Sequence, residues 1–309
     1  MNLENVVSRV KDLSKRENGA RQFENIQSIF RCPLCGEGLH VTDAKSIRCL
    51  NNHNFDFAKQ GYINFLARPI HSDYDRALFD ARRTIMNTYS FFQPLLRAIE
   101  NELMKMDSFS NETSDLWMLD AGCGEGTHLN ALSESLAKRS KRVIHGIGID
   151  ISKDGILAAA KRYADRIWMV ADLVHPPLRE KSMDLLLNIL SPSNYRCFHH
   201  LLKPGGMVIK VVPGSAYLQE IRTFFYDSEK KGTYSNSAII SHFYDHFSEF
   251  QTFPIHYSKK LDQEAMQAII RMTPLAWTAD EAKKKAWLDV KKRSVTIDLS
   301  VLIGLEKEK

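Results

Sequence analysis

The chain has 309 residues, of which 44% are hydrophobic and 26% are charged, and its formal net charge is +5. No apolar run approaches the roughly 20 residues that span a bilayer, and the charged N-terminus lacks the apolar core of a signal peptide. These features argue against a membrane partner and an exported protein, so we expect a cytoplasmic protein in a compartment where disulfides are rare. The mild positive charge is compatible with a nucleic-acid partner without demanding one.

Four regions follow one another along the sequence. Residues 1–28 predict a polar, partly helical extension, and residues 29–70 are turn-rich and contain a cluster of cysteines. Residues 71–110 predict a connecting helical segment, because apolar residues recur there near a 3.6-residue spacing. Residues 111–309 alternate between short apolar strands and helices and form the largest predicted domain.

This last region carries the pattern of an α/β fold. Its strands are predicted at 116–122, 143–150, 166–172, 183–190, 207–212 and 294–305. Helices are predicted at 153–164, 195–203, 262–272 and 280–292. The sequence KPGG (203–206) predicts a tight turn before the fifth strand. Apolar strands that alternate with helices predict a mostly parallel sheet with both faces covered.

The cysteine cluster has the spacing of a metal site. Three of the five cysteines belong to the pattern Cys32-x2-Cys35 … Cys49-x3-His53. Two ligands on one tight turn and two on a second can close the tetrahedral shell that zinc prefers with sulfur and nitrogen donors. Ordinary buried cysteines and a redox CxxC are the alternatives, but a redox motif usually opens a helix after a strand, and that pattern is missing here. Four protein ligands leave no position for water, so the predicted zinc is structural.

A glycine-rich loop follows the first strand of the large domain. It reads Asp120-Ala-Gly122-Cys-Gly124-Glu-Gly126-Thr127, and its alternate glycines let a ligand lie against the backbone. A dinucleotide-binding loop would have its third small residue at position 127, and a P-loop would carry GKS or GKT. S-adenosylmethionine suits the spacing better, because it has no phosphates and its amino acid part can sit over the loop. Asp120 can then approach the ammonium of that ligand.

Two further predicted strands end on carboxylates. Asp150 ends the second strand and can accept both ribose hydroxyls of a nucleoside. Asp172 ends the third strand and can accept from the adenine amino group. Either residue alone would more often be a solvated strand end, but three acidic strand ends in this order predict one cofactor site. Cys123, inside the loop, is interpreted as a packing residue.

With these motifs the sequence resembles the RlmA-type 23S rRNA guanine-N1 methyltransferases, including those that confer resistance to tylosin-type and mycinamicin-type macrolides. The resemblance covers about residues 28–300 and rests on CPLCGEGL, CLNNHNFDFAKQGYINFL, ARRTIMNTYSFFQPL, LDAGCGEG, GIDISKDGILAAAKRY, LLKPGGMVIKVVPGSAYLQEI and RMTPLAW. It implies a class I S-adenosylmethionine-dependent methyltransferase fold, with a mostly parallel seven-stranded Rossmann-like sheet and a small N-terminal zinc-binding domain.

The resemblance also assigns roles to individual residues. Zinc would be held by Cys32, Cys35, Cys49 and His53. The cofactor would be touched by Phe92, Gly124, Glu125, Gly126, Thr127 and Tyr217. Where this chain has Phe92 and Tyr217, some members have tyrosine and histidine. The segment NILSPSNY (188–195) resembles the Gram-positive branch of the family, and the branch would select which neighbouring guanine is modified.

The implied partner is a hairpin of 23S rRNA, with the zinc module as its reader. Basic residues that can meet phosphates surround aromatic residues that can stack on bases: Lys45, Arg48, Lys59 and Arg68 beside Phe55, Phe57, Tyr62 and Phe65. For Phe55 and Phe57 we prefer a place in the module's own core. Arg82 and Arg83 on the connecting helix would contact RNA or order the cofactor, and the basic stretch 283–293 is another candidate RNA surface. The resemblance further suggests a homodimer.

The predicted activity is methyl transfer from S-adenosylmethionine to N1 of a specific guanine near the peptide exit tunnel, with an effect on macrolide susceptibility. A base must remove the N1 proton, and the sequence does not name that base. One alternative is a zinc-ribbon methyltransferase that acts on another RNA or a small molecule. Another is a zinc-ribbon RNA-binding protein whose methyltransferase fold no longer acts.

Overall fold

The computed structural model describes residues 13–68, 70, 74–106, 109, 114–226 and 234–307. The start of the predicted extension (1–12) and parts of the predicted connecting segment (71–73, 107–108 and 110) lie outside them. The helices are α1 (Lys15–Asn25), α2 (Arg76–Arg83), α3 (Gln93–Leu103), α4 (Thr127–Ser140), α5 (Lys153–Arg162), α6 (Tyr195–Leu201), α7 (Gln219–Phe225), α8 (Ser237–His246), α9 (Gln263–Met272) and α10 (Glu281–Leu288). The strands are β1 (Leu39–Val41), β2 (Ser46–Cys49), β3 (Asn54–Asp56), β4 (Ile63–Asn64), β5 (Leu116–Ala121), β6 (Ile144–Asp150), β7 (Ile167–Val170), β8 (Met183–Ile189), β9 (Leu202–Pro213), β10 (Phe250–Leu261) and β11 (Arg293–Leu305).

Strands β5 to β11 form one sheet, and β4 joins it from the N-terminal region. The strand order is β10-β11-β9-β8-β5-β6-β7-β4. Strands β4 to β9 run parallel to one another, whereas β11 lies antiparallel between β9 and β10. The predicted fold is therefore confirmed: a mostly parallel, Rossmann-like sheet of seven strands from the large region, beside a small N-terminal domain.

The central strands are buried on both faces, which explains their continuous apolar runs. In β5, the successive residues Met118 and Leu119 point to opposite faces, and both are fully buried. The Met118 face packs against α4 and α5 through Leu132 and Ile156. The Leu119 face packs against α6 through Phe198. Burying both faces leaves the loops at the strand ends as the places where polar groups can be offered to a ligand.

A second, antiparallel sheet of order β1-β2-β3 holds the cysteine cluster, and we call residues 30–68, which include this sheet and β4, the ribbon. The ribbon is joined to the large sheet at its β7 edge. Strand β4 pairs in parallel with β7 through Met169 and Val170, and Phe30 forms a β-bridge with Leu178. Buried ribbon residues and the Leu119 face of the large sheet consequently form one continuous core.

Most of the described part of the predicted polar extension forms helix α1. Its N-terminus is a capping box of Ser14 and Glu17. Ala20 and Phe23, three residues apart and so on one helix face, are both buried. The Phe23 ring stacks on Phe30 at a centroid distance of 4.1 Å. A few apolar residues at helical spacing are thus enough to dock this segment, which its polar composition did not indicate.

Two local features differ from the predictions. The connecting segment is not one helix: a π-helical turn at Thr84–Thr88 ends α2, and α3 starts anew with Pro94 in its first turn. The KPGG sequence lies inside β9 rather than in a turn before it, because Leu202 already pairs with Met183 and the register then shifts. The helix predicted at 195–203 ends at Leu201 for the same reason.

Among the described residues, none of the helices combines the length and the apolar composition needed to cross a membrane.

Candidate functional site

The four predicted metal ligands converge on one point. Sγ of Cys35 and Sγ of Cys49 lie 3.7 Å apart, and Nδ1 of His53 lies 3.5 Å from Sγ of Cys32 and 3.4 Å from Sγ of Cys49. A tetrahedral zinc site has edges of about 3.8 Å between sulfurs and about 3.5 Å between sulfur and nitrogen. A disulfide would need a sulfur separation of about 2.05 Å. The geometry and the donor set therefore fit structural zinc, as predicted.

Two turns position these ligands. The Gly36 amide donates to the Cys32 carbonyl at 2.8 Å, and the Asn52 amide donates to the Cys49 carbonyl at 3.0 Å. Gly36 and Asn52 have φ values of +81° and +62°, a left-handed conformation that these residue types adopt most easily. The turn chemistry of the sequence thus brings each pair of ligands onto one side of its turn.

The glycine loop connects β5 to α4 at the carboxyl edge of the sheet. Gly122, Gly124 and Gly126 all have positive φ. A Cβ at Gly126 would stand 2.3 Å from the Trp168 ring, and one at Gly122 would stand 2.0 Å from Oγ of Ser191. The loop is consequently packed closely against its neighbours, and of the three glycines only Gly122 is not buried.

The three predicted acidic residues lie side by side at this edge. In the sheet register, Asp120 pairs with Gly148 and Asp150 pairs with Val170. Asp172 follows two residues later along the chain, and its Oδ1 accepts from the Val174 amide at 2.9 Å. The three carboxylates therefore occupy neighbouring strand ends, in the order expected for the amino acid, ribose and adenine parts of one cofactor.

Burial shapes the electrostatics of this edge. Asp120 is 2% exposed, and its burial is the main reason that its pKa is raised to about 7. Asp150 and Glu125 also raise this pKa, whereas Arg82 lowers it. Burial also raises the pKa of Asp150. Oδ2 of Asp150 accepts from the Gly124 amide at 2.7 Å, and Oδ1 accepts from the Ser152 amide at 2.8 Å. Each oxygen keeps a second lone pair for a hydroxyl donor.

Arg82 and Arg83 are adjacent in sequence but separate in space. The Arg82 Nε donates to Oε1 of Glu125 at 3.2 Å, and the Arg82 side chain is only 23% exposed. The Arg83 side chain pairs with Asp80 on its own helix at 3.0 Å and is 42% exposed. Arg82 therefore lies at the carboxyl edge of the sheet that carries Asp120, Asp150 and Asp172, which we call the cofactor edge. Arg83 lies on the surface of α2.

Phe92 and Tyr217 flank the same edge. The Phe92 ring lies 5.4 Å from the His128 ring, directly after the glycine loop. Tyr217 is half-buried, and burial raises its pKa, while Arg82 is close enough to act in the opposite direction. Phe92 is 2% exposed and packs in the core beside the loop, whereas Tyr217 lines a cleft together with Arg82.

The ribbon exposes basic side chains to solvent, but few of its aromatic rings are accessible for stacking on RNA bases. Lys59 and Arg68 are exposed. Phe57 is 1% exposed, Tyr62 5% and Phe65 6%. The preferred interpretation of Phe57 as core is confirmed. Phe65 is buried in the same core, and Tyr62 in the core on the other face of the large sheet, so neither ring is accessible for base stacking.

A cleft of about 780 Å³ opens beside the glycine loop, and sequence reasoning missed most of its lining. Arg82 and Tyr217 line it together with Lys210, which comes from β9 and is only 4% exposed. The segment after β8, which the sequence singled out only by resemblance, supplies Leu190 and Ser191. A lysine inside an apolar strand was a further signal for this cleft in the sequence.

Backbone strain marks both sides of the cleft. Leu190 and Leu218 have φ values of +53° and +50°. Bulky residues rarely adopt this conformation, which costs on the order of 1–3 kcal/mol and concentrates at active sites. The Leu190 amide bonds to the Val211 carbonyl at 3.1 Å and the Leu218 amide to Thr296 at 2.8 Å. The surrounding sheet thus holds both residues in place.

Comparison with known proteins gives matches along most of the chain. Residues 30–72 match a family model described as "RlmA, N-terminal", and residues 118–206 match one described as "Methyltransferase domain". The chain is 42% identical over 280 residues to YxjB of Bacillus subtilis, which is provisionally named as a 23S rRNA (guanine-N(1)-)-methyltransferase, and the match covers 90% of this chain and 98% of YxjB.

Two actinobacterial proteins match at lower identity. The chain is 26% identical to the 23S rRNA (guanine(748)-N(1))-methyltransferase of Streptomyces fradiae, over 83% of this chain and 89% of that protein. It is 27% identical to a provisionally named 23S rRNA (guanine-N(1)-)-methyltransferase of Micromonospora griseorubida, over 89% of this chain and 96% of that protein.

Proposed function

The chain belongs to the RlmA-type family of 23S rRNA (guanine-N1) methyltransferases, and we propose that it transfers a methyl group from S-adenosylmethionine to N1 of one guanine in a 23S rRNA hairpin loop near the peptide exit tunnel. The observation that carries this proposal is the position of the ribbon. It is docked on β7, the strand that leads into Asp172. An RNA held by the ribbon would therefore lie next to the cofactor edge of the sheet.

The cofactor edge supports a specific placement of S-adenosylmethionine. Gly122, Gly124 and Gly126 would leave backbone room for its amino acid part, with Asp120 facing the ammonium. Asp150 would accept the ribose hydroxyls, and Asp172 would accept from the adenine amino group. Glu125 and Thr127 in the loop, with the rings of Phe92 and Tyr217, would close the site. When bound, the cofactor supplies a methyl group on a positively charged sulfur.

Arg82 would keep this edge electrically balanced. Its ion pair with Glu125 is largely removed from water. Its action on the pKa values of Asp120 and Asp150 favours their ionised forms. Ionised carboxylates are what an ammonium and ribose hydroxyls need as partners.

The cleft would receive the target base. Its volume of about 780 Å³ lies within the range of small-molecule sites, about 300–1,000 Å³. A guanine must leave its stack before its N1 is accessible, and this costs least in a hairpin loop. The exposed Lys59 and Arg68 would contact phosphates of the same hairpin, and zinc held by Cys32, Cys35, Cys49 and His53 would keep the ribbon folded for this contact.

Three finer features belong to the proposal by resemblance. NILSPSNY (188–195) supports the Gram-positive branch, and the named target of the Streptomyces fradiae relative is guanine 748. Modification there would affect macrolide susceptibility. The suggested homodimer stays a prediction.

The proposal is tested by transfer of labelled methyl from S-adenosylmethionine to unmodified 23S rRNA, followed by primer extension. A methyl group on guanine N1 blocks base pairing and stops reverse transcriptase, so one new stop in the hairpin is expected. The position of the stop identifies the guanine. Binding of S-adenosylmethionine without any stop would contradict the substrate and favour another RNA or a small molecule. Failure to bind the cofactor would favour an RNA-binding protein without activity.

A further inference from the structure

Lys210 occupies an unusual position for a lysine. It lies in the middle of β9, with apolar neighbours in a strand that is buried along most of its length, and it is 4% exposed. An ammonium group is costly to bury without partners. Here the Nζ donates to Oδ1 of Asn188 at 2.6 Å and to the carbonyl of Ser191. The side chain nonetheless lines the cleft beside the glycine loop.

A hydrogen-bond network ties Lys210 to the cofactor edge. The Asn188 Nδ2 donates to the carbonyls of Ala121 at 2.9 Å and Pro192 at 3.0 Å. Its Oδ1 accepts from Ser193 Oγ at 3.2 Å as well as from Lys210. Ala121 is the residue immediately before Gly122. The amine is thus held at a fixed position relative to the loop that faces the cofactor.

The two acceptors leave one position on the Lys210 nitrogen unused. An ammonium has three N–H donors, so two bonds to Asn188 and Ser191 leave one N–H. A neutral amine has two N–H groups and a lone pair, so the same two bonds leave the lone pair. Either protonation state fits the network, and only the third position changes. Such a site can take up and release a proton without rearranging its partners.

Few other groups in the cleft can accept a proton. The remaining titratable residues that line it are Arg82, His242, Tyr74, Tyr195, Tyr217 and Tyr234, with no carboxylate among the described lining residues. Arginine and tyrosine are ordinarily protonated at neutral pH. His242 is exposed on α8. Burial lowers the pKa of Lys210 to about 8, which gives it a neutral fraction near neutral pH.

We propose that Lys210 is the general base that removes the N1 proton of the target guanine, an inference that rests on the proposed function. The N1–H bond breaks and its proton passes to Nζ of Lys210. The electron pair left on N1 forms the new bond to the methyl carbon, and the pair of the broken carbon–sulfur bond stays on sulfur. The resulting ammonium keeps its bonds to Asn188 and Ser191 and later releases the proton to water through the cleft.

The test measures single-turnover methylation of 23S rRNA by wild type, Lys210→Arg, Lys210→Ala and His242→Gln, with cofactor and RNA binding measured separately. Lys210→Arg keeps a cation and its donors but cannot act as a base. We expect its methylation rate to fall at least about 100-fold while both affinities stay within a few-fold of wild type. Added methylamine should partly restore Lys210→Ala, and the wild-type rate should rise with pH through about 8.

Three results would each overturn the inference alone. One is a Lys210→Arg variant that methylates within a few-fold of the wild-type rate, which would make Lys210 structural. The second is a folded Lys210→Ala variant that methylamine leaves unchanged, and the third is a loss of activity found only in His242→Gln. If Lys210→Arg does not fold, the amine experiment on Lys210→Ala decides. A wild-type chain that binds the cofactor but methylates no guanine would overturn the proposed function, and this inference with it.

Discussion

The ribbon and the large sheet are stabilised by different means. The ribbon strands β1, β2 and β3 have only three, four and three residues, and four ligand atoms within 4.8 Å of one another hold its two turns together. In the large sheet, β11 alone has 13 residues, and apolar cores cover both faces. A small module with little core depends on its metal, whereas a large sheet spreads its stability over many contacts.

The two regions are nonetheless connected, because the segment 172–179 of the large domain is hydrogen-bonded to the start of the ribbon. The Arg31 amide donates to the Pro177 carbonyl at 3.2 Å, and the Arg179 amide donates to the Ile29 carbonyl at 2.7 Å. The same segment begins with Asp172. Exchange of one ligand sulfur can therefore disrupt the zinc site, and its effect can reach the carboxyl edge of the large sheet through this segment and through the pairing of β4 with β7.

Cys35→Ser should produce the largest effect and confine it to the ribbon. Losing one thiolate removes much of a zinc binding free energy that is about 10–16 kcal/mol in comparable small modules. We expect the zinc content to fall to near zero and amide hydrogen exchange to accelerate in residues 30–57, while β5 and β8 stay protected. Cys197→Ser is the control, since Cys197 is a buried cysteine outside the cluster. Retained zinc in Cys35→Ser would contradict the assigned ligand set.

Gly126→Ala and Gly36→Ala compare the two regions at equal backbone conformation. Their φ values are +82° and +81°, but a Cβ at Gly126 meets the Trp168 ring at 2.3 Å while one at Gly36 meets nothing within 4 Å. The left-handed conformation costs about 1–2 kcal/mol in both. Overpacking should add about 1–3 kcal/mol at Gly126. Denaturant unfolding measures the difference, and equal losses would contradict the close contact with Trp168.

Arg82→Met and Arg83→Met separate a buried ion pair from a surface one. Removal of Arg82 leaves the buried Glu125 without its cation, and we expect a loss of about 2 kcal/mol, below the 3–5 kcal/mol of a fully buried pair. Arg83→Met should stay within about 0.5 kcal/mol. Thermal unfolding gives both values, and calorimetry should show weakened S-adenosylmethionine binding only for Arg82→Met. Equal effects would place both arginines in the same role.

The sequence predicted those parts of the site that depend on local spacing. The zinc ligands and the turns at Gly36 and Asn52 follow from residues a few positions apart, and so does the glycine loop. The different roles of Arg82 and Arg83 could not be read from the sequence, because each depends on a partner brought in by the fold.

The cleft could not be predicted from the sequence either, because its residues are brought together only by the fold. Asn188 and Lys210 are 22 positions apart and meet only because β8 and β9 pair. The docking of α1 depends on the close approach of Gly19 and Gly61, where a Cβ would stand 2.4 Å from a carbonyl oxygen. Contacts of this kind have no periodicity along the chain, so only the structure reveals them.

The pH dependence of cofactor binding tests the role of Asp120, which is buried at the carboxyl edge of the sheet. Burial raises the pKa of Asp120 to about 7, so the carboxyl is protonated in the folded chain well below that pH and cannot pair with an ammonium. Affinity for S-adenosylmethionine should therefore rise about tenfold between pH 5.5 and 7, before the cofactor's own α-amino group begins to lose its proton. Asp120→Asn should bind weakly and without this slope. A flat profile in wild type would contradict the role of Asp120.

Lys59→Ala and Arg68→Ala should have the smallest effect, and it should be confined to RNA. Both side chains are exposed, so neither folding nor zinc content should change. If each contacts one phosphate, the slope of log affinity against log salt concentration should decrease by about one per variant. Lys138→Ala, an exposed lysine on α4, is the matched control and should keep the wild-type slope.

The same experiment decides which region reads the RNA. The ribbon's aromatic residues are mostly buried in the core that it shares with the sheet, so its contribution to binding should be largely ionic. An unchanged slope in both ribbon variants would move the RNA-binding surface to the large domain, with the basic stretch 283–293 as the next region to substitute. The ribbon would then serve to brace the segment that carries Asp172, and its zinc would matter for the cofactor rather than for the RNA.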